Sequence, residues 1–149
     1  MPIPEYVARL RAHVGHETLL LPAAAAIVRD EGGRVLLIRR GDGRGWSLPG
    51  GMMEPGECIA GCIEREVWEE TGLEIEIVRL VGVYSDPAAM QFAYPNGDRV
   101  HFVGALRPDG EESLEVAYFA PDALPPGLVC DHAQRIADAL AGRETAFVR

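Results

Sequence analysis

Residues Pro49 to Leu73 read PGGMMEPGECIAGCIEREVWEETGL. A glycine-rich turn runs into an amphipathic helix whose last two turns hold Glu64, Arg65, Glu66, Glu69 and Glu70. The pattern predicts a helix from about Glu57 to Thr71, stopped by Gly72 as a left-handed C-terminal cap. At about 100° per residue with Ile59 at zero, Ile63 and Val67 fall near 40° and 80° and mark an apolar face. Glu70 then lies at about 20°, inside that stripe, Glu66 at about 340°, on its edge, and Glu69 at about 280°, beside Cys62. A solvated charge run would sit on the opposite side. Glu66 and Glu70 are also a like-charge pair at i,i+4, which costs about 0.2–0.5 kcal/mol when exposed. Nearer the core the cost grows, or the carboxyl pKa values rise. A divalent cation removes the conflict, and hard oxygen donors suit Mg²⁺ or Mn²⁺. Mg²⁺ keeps several waters and is commonly shared with substrate phosphates, so a carboxylate helix behind a glycine loop points to phosphoryl chemistry.

Outward from this segment the chain reads as one domain over residues 1–149, with neither linker nor repeat. A helix is expected at about 4–14, where Tyr6, Val7, Leu10 and Val14 share a face. PAAAAIVRD and EGGRVLLIRR read as two strands joined at an Asp30–Gly33 turn, and GDGRGWSLPGG as a loop. EIEIVRLVGVYSD reads as a strand, and QFAYPNGDRVHFVGAL as a hairpin turning at Asn96–Gly97. SLEVAYFAP reads as a further strand, and DHAQRIADALAG as a closing helix capped by Asp131. Strands with helices before, among and after them predict an α/β (α+β) fold, a mixed sheet between helices.

The 149 residues are 48% hydrophobic and 25% charged, with a formal charge of −9. A charge this acidic argues against a nucleic-acid surface, which normally shows a basic patch. The longest apolar run, Leu19 to Val28, falls well short of the roughly 20 residues that span a bilayer, and the N-terminus lacks the basic start and apolar block of a secretory signal. Three cysteines without a CxxC pair suggest reduced thiols in the cytoplasm.

Gly51, Glu57, Arg65-Glu66-Val67, Glu69-Glu70 and Gly72-Leu73 fit GX5EX7REUXEEXGU, U being a bulky apolar residue, at every specified position. In this the chain resembles the Nudix hydrolase (MutT-like) family, with its box at 51–73. The resemblance implies an α/β/α sandwich and Mg²⁺- or Mn²⁺-dependent hydrolysis of a pyrophosphate bond in a nucleoside diphosphate linked to another group. It implies metal ligation by Glu66, Glu69 and Glu70, with a backbone carbonyl near Gly51. Glu57 and Arg65 are implied as partners that orient the box, the arginine fork gripping the carboxylate bidentately. Arg65, at about 240° on the wheel, is expected to stay clear of the metal itself. Glu69 or Glu112 is the expected general base, Glu112 from a loop after the box and ahead of its neighbour Glu111. Homodimers are common in the family, and the stripe of the first helix offers a surface for one.

Arg39 and Arg40, ending a strand ahead of the glycine loop, are candidates to bind substrate phosphate, and Trp46 to stack on a base or plug the sheet. Cys58 and Cys62 stand at i,i+4 without a histidine nearby, which favours small packed thiols over zinc. Only Arg99 to Ala105 separate YPNGD from LRPDGEES, shorter than in many relatives, and the expected consequence is an altered pocket wall. Pro87 lies where a proline marks some ADP-ribose pyrophosphatases; oxidised nucleoside triphosphates are the competing substrate class. A catalytically silent nucleotide-binding module is the alternative to an enzyme, although such modules usually lose box glutamates and this chain keeps them all. A diphosphate isomerase on the same fold lacks its usual cysteine and glutamate arrangement here.

Overall fold

The computed structural model describes residues 5–41, 43–93, 99–104, 115–129 and 131–148. Helix α1 (Glu5–Val14) leads into β1 (Thr18–Ala25) and, after the Asp30–Gly33 turn, β2 (Val35–Arg39). Two short strands, β3 (Trp46–Ser47) and β4 (Gly50–Met52), precede α2 (Ile59–Thr71). Then come β5 (Gly82–Val83), α3 (Pro87–Met90), β6 (Gln91–Ala93), β7 (Arg99–Gly104), β8 (Glu115–Phe119), α4 (His132–Leu140) and β9 (Phe147–Val148). The strands form a four-stranded sheet of order β4-β1-β7-β6, a three-stranded sheet β3-β2-β8 and a parallel pair β5-β9. β1 runs parallel to β7 and antiparallel to β4, so the larger sheet is mixed.

Helices cover both faces of that sheet because residues of β4 alternate sides. Met52 joins Val7, Leu10, Leu19, Leu21, Ala23, Ala89 and Met90 in a cluster under α1. Gly51, one residue earlier, faces Glu66 of α2. The helix–sheet–helix layering expected from the sequence is therefore present. The second cluster, Val35, Leu37, Leu48 and Ile136, lies between β2 and α4.

Several local expectations change. The two early strands are not a hairpin ladder: β1 and β2 belong to different sheets, linked by an isolated Arg29–Val35 bridge and the Leu36 N–H to Val28 bond of 2.9 Å. The turn between them is as read, with Gly33 at φ 76° and Asp30 accepting from the Arg34 amide at 2.9 Å. Of Glu74 to Asp86, only Gly82–Val83 is a strand. The alternation of Glu74 and Glu76 with Ile75 and Ile77 suits a half-buried strand, but Val78 and Leu80 lie exposed, since local periodicity supplies no pairing partner. The glycine loop instead contains β3 and the start of β4. The hairpin pairs Gln91 with His101 and Ala93 with Arg99; Asn96 and Gly97 lie outside the described residues, as does Ala105, so of the short segment only β7 is seen. Asp131 precedes α4 but makes no capping bond. Its carboxylate is taken by Arg135, whose Nε lies 2.7 Å away. α1 docks through Val7 and Leu10 on its own sheet, with Tyr6 and Val14 exposed.

Candidate active site

The box begins where β4 passes under α2. Gly50 has φ 149°, and a Cβ there would lie 2.3 Å from the Ala24 carbonyl oxygen. A Cβ on Gly51 would meet the Glu66 carboxyl carbon at 2.4 Å. Two adjacent glycines thus let an edge strand and a helical carboxylate share space that any side chain would fill. The buried residues of α2 are Cys62, Glu66 and Val67, whereas Ile59 is exposed. The buried face is accordingly rotated from the expected stripe toward the glycines. Gly72, at φ 70°, closes the helix with its N–H on Trp68 at 2.8 Å, and the Cys58 thiol caps the start by accepting from the Gly61 N–H at 3.4 Å.

Arg65 ties the parts together. Its Nε and Nη2 grip Glu57 at 2.8 and 3.0 Å, and Nη2 also donates to the Met52 carbonyl at 3.1 Å. Nη1 donates to Glu66 Oε1 at 2.7 Å and to Glu69 Oε2 at 3.4 Å. The grip on Glu57 is the expected fork. The contact with Glu66 is one the wheel does not show, because wheel angle gives the direction of Cβ and not the reach of a long side chain. Glu57 is held further by accepting from the Glu54 amide at 3.0 Å, and the Arg65 bonds pull its pKa below the usual value.

Glu66 and Glu70 shift the other way from Glu57. Burial raises the Glu66 pKa against the lowering pull of Arg65, and its Oε2 is buried without a hydrogen-bond partner. Burial pushes Glu70 up to about 8; the Gly50 N–H, donating to Oε2 at 2.8 Å, and the charge of Arg40 pull it down, while Glu66 and Glu69 push it further up. Burial also raises the Cys62 thiol to about 12, keeping it protonated; it lies 3.9 Å from the Gly51 carbonyl. Cys58 and Cys62 are both free thiols.

The residues present fit a hard cation. An orphaned buried carboxylate oxygen on Glu66, and a Glu70 carboxyl raised by burial and by the charges of Glu66 and Glu69, suit a positive partner beyond the arginine. Among the described residues no three His, Cys, Asp or Glu side chains stand close enough to hold an ion by themselves, so a bound cation draws further donors from backbone, water or substrate. Glu69 is half-exposed, at the edge of Arg65.

A NUDIX domain model matches residues 19–139. The chain belongs to the Nudix family. It is similar to a MutT-like protein of Streptomyces ambofaciens, 36% identical over 124 residues that make up 80% of this chain and 77% of that one. An ADP-ribose pyrophosphatase of Methanocaldococcus jannaschii is 33% identical over 131 residues, 80% of this chain and 75% of its own. Among solved structures, an ADP-ribose pyrophosphatase from Streptococcus suis superposes with a TM-score of 0.60 at 26% identity, covering 87% of this chain and 97% of that one.

Beyond the box, this Nudix chain brings only some of the candidate residues to the carboxylates. Arg40 is nearly buried and close enough for its charge to act on Glu70. Arg39, next to it, points out and pairs with Glu115 at 3.6 Å. Trp46 packs edge-on against Phe119 with ring centroids 4.8 Å apart, beside the second core cluster. Glu111 and Glu112 lie outside the described residues. The backbone donors and acceptors, Gly50 N–H and the Met52 carbonyl, were not foreseen, since motif spacing does not show which main-chain group a carboxylate or guanidinium meets. Equally unforeseen is the buried polar face of α4. There Tyr84 donates to Asp138 at 3.0 Å, Gln134 donates to Asp138 at 2.9 Å, and His132 accepts from the Leu48 amide at 2.9 Å.

Proposed function

We propose that this Nudix hydrolase uses Glu66 and Glu70, with a divalent cation, to cleave the pyrophosphate bond of a nucleoside diphosphate bearing a further group. The family and its named relatives support pyrophosphate cleavage in a nucleotide derivative. The observation that carries the residue assignment is a pair of carboxylates against Gly50 and Gly51, Glu70 partly buried on the Gly50 amide and Glu66 buried with an oxygen left unpartnered. Mg²⁺ or Mn²⁺ is the proposed cation, and Glu66 and Glu70 would hold it, with Glu69 and the Gly51 carbonyl as further candidate donors. A bound cation of this kind makes water a better nucleophile and offsets charge on the diphosphate oxygens.

The chain's own groups supply the rest. Arg65 holds Glu57, Glu66 and the Met52 carbonyl in one arrangement, so the box is organised before substrate arrives. Arg40 places a fixed positive charge beside Glu70, where a substrate phosphate would approach. Glu69, half-exposed, would accept the proton of the attacking water, with Glu112 the alternative base. Water oxygen bonds to phosphorus, the bridging anhydride bond breaks, and two phosphate-bearing products leave.

A homodimer in the cytoplasm belongs to the same reading. The exposed strip Ile77, Val78 and Leu80 offers a second copy an apolar surface, and the two free thiols suit a reducing compartment. Among the described residues no helix is long and apolar enough to cross a membrane. The test is hydrolysis of nucleoside triphosphates, ADP-ribose, nucleotide sugars and dinucleoside polyphosphates, followed by separating the phosphate-bearing products, with Mg²⁺ and with EDTA. ADP-ribose and oxidised nucleoside triphosphates lead that panel, because relatives carry names of both kinds. Turnover of at least one compound that stops in EDTA and returns with Mg²⁺ is expected. Undiminished turnover in EDTA would refute the mechanism, and no turnover of any compound would favour a silent binding module.

A further inference from the structure

The chain passes from β3 to β4, and so from one of the larger sheets to the other, in two residues. β3 ends at Ser47 in the three-stranded sheet and β4 begins at Gly50 in the four-stranded one, leaving Leu48 and Pro49 as the crossover. Proline has no N–H, so the Leu48 amide is the one main-chain donor this crossover can offer. Leu48 is 2% exposed and Pro49 is fully buried, so that donor must find its partner inside the protein. No strand can serve, because the ladder of β3 has ended and that of β4 has not begun. The amide donates instead to Nδ1 of His132, the first residue of α4, at 2.9 Å. His132 has no solvent exposure.

The bonds on either side show what this contact steadies. Trp46 is locked by its N–H to the Gly127 carbonyl at 3.1 Å and by the Val129 N–H to its own carbonyl at 2.8 Å. The Pro49 carbonyl accepts from the Ala26 N–H at 2.9 Å. The next amide, Gly50, donates to Glu70 at 2.8 Å, and Gly51 then lies against the Glu66 carboxyl. The imidazole is thus two residues upstream of the first box contact, in the stretch that sets where both glycines stand.

We propose that His132 is a positioning residue for the hydrolase site: by accepting from Leu48 it fixes the crossover that presents Gly50 and Gly51 to Glu70 and Glu66. The inference rests on the reading of those glutamates as the working carboxylates. It requires a neutral imidazole with its proton on Nε2, since Nδ1 must keep a lone pair. Asparagine can substitute, because its Oδ1 is bonded to Cγ as Nδ1 is. Leucine fills much of the same volume but leaves the buried amide unpaired.

The test uses the whole chain, metal-free for spectroscopy and with Mn²⁺ for binding and turnover. In wild-type protein the His132 Nδ1 nitrogen is expected to resonate as an unprotonated acceptor. His132→Leu should speed amide exchange at Gly50 at least tenfold, weaken Mn²⁺ binding, and lower kcat about tenfold at a temperature where it remains folded. His132→Asn should stay within about threefold of wild type on all three measures. If His132→Leu does not fold, His132→Gln replaces it, its amide lying one bond further from the backbone. A protonated Nδ1, wild-type exchange and kcat in His132→Leu, or failure of His132→Asn to rescue would each overturn the proposal. Should wild-type protein turn over no nucleotide, the proposed function fails, and Gly50 exchange still decides the role of His132.

Discussion

Glu70 carries the sharpest consequence at the residue scale. Glu70→Gln keeps the shape and can still accept from the Gly50 amide, so turnover should fall at least about a hundredfold while the metal-free protein melts no lower. The pH dependence follows from the raised pKa. With a folded value of about 8 against an ordinary 4.5, the folded protein retains a proton that the unfolded chain loses. The stability from this group is complete below pH 4.5 and is lost as pH rises toward and through 8. Metal-free wild type should therefore lose melting temperature between pH 5 and 8, and Glu70→Gln should flatten that slope. An unchanged slope in the variant would remove Glu70 as the source. Arg65 makes a different prediction. Its side chain is partly buried and grips Glu57, Glu66 and Met52 together, so Arg65→Ala should lower activity and cost about 3 kcal/mol of stability, read as a fall in melting temperature. Arg65→Lys should recover little, since one ammonium cannot replace the fork. Full stability with a raised KM alone would make Arg65 a phosphate ligand instead.

At the scale of the element, α2 was legible because both its ends carry chemical signals. Gly72 adopts the left-handed cap, and nothing lies within 4 Å of where its Cβ would stand. Gly72→Ala should thus cost about 1–2 kcal/mol from the backbone conformation alone, with kcat per folded molecule unchanged; thermal melts and active-site-normalised rates check both halves. The orientation of α2 was less legible. The apolar stripe Ile59–Ile63–Val67 suggested one buried face, whereas Cys62, Glu66 and Val67 are the buried residues. The side of a helix that is buried depends on where its neighbour can approach, and Gly50–Gly51 permit approach over a carboxylate. The strand expected across Glu74 to Asp86 failed for the complementary reason, because its alternation is genuine but a strand exists only with a partner.

For the whole molecule, the prediction concerns assembly. Val78 is 87% exposed and Leu80 56%, on a segment with little regular structure of its own. Light scattering should show a dimer at working concentration, and Val78→Asp should shift it to monomer with its melting temperature within a few degrees of wild type. A wild-type monomer would leave that strip with another use.

The sequence by itself determined the box. Spacing that places Glu66 and Glu70 on one helix side, a glycine pair before them and a glycine cap after them are local facts. The charge conflict they create calls for a cation whatever surrounds the helix. The fork from Arg65 to Glu57 was legible for the same reason, both residues lying within one loop and helix. Only the tertiary structure decided that β1 and β2 separate into two sheets, that Arg40 is buried within range of Glu70 while Arg39 turns out, and that a histidine 84 residues from Leu48 completes the crossover from β3 to β4. Those contacts join parts of the chain distant in sequence. Their partners are chosen by the burial of amides and charges that must be satisfied after packing, which no local periodicity records.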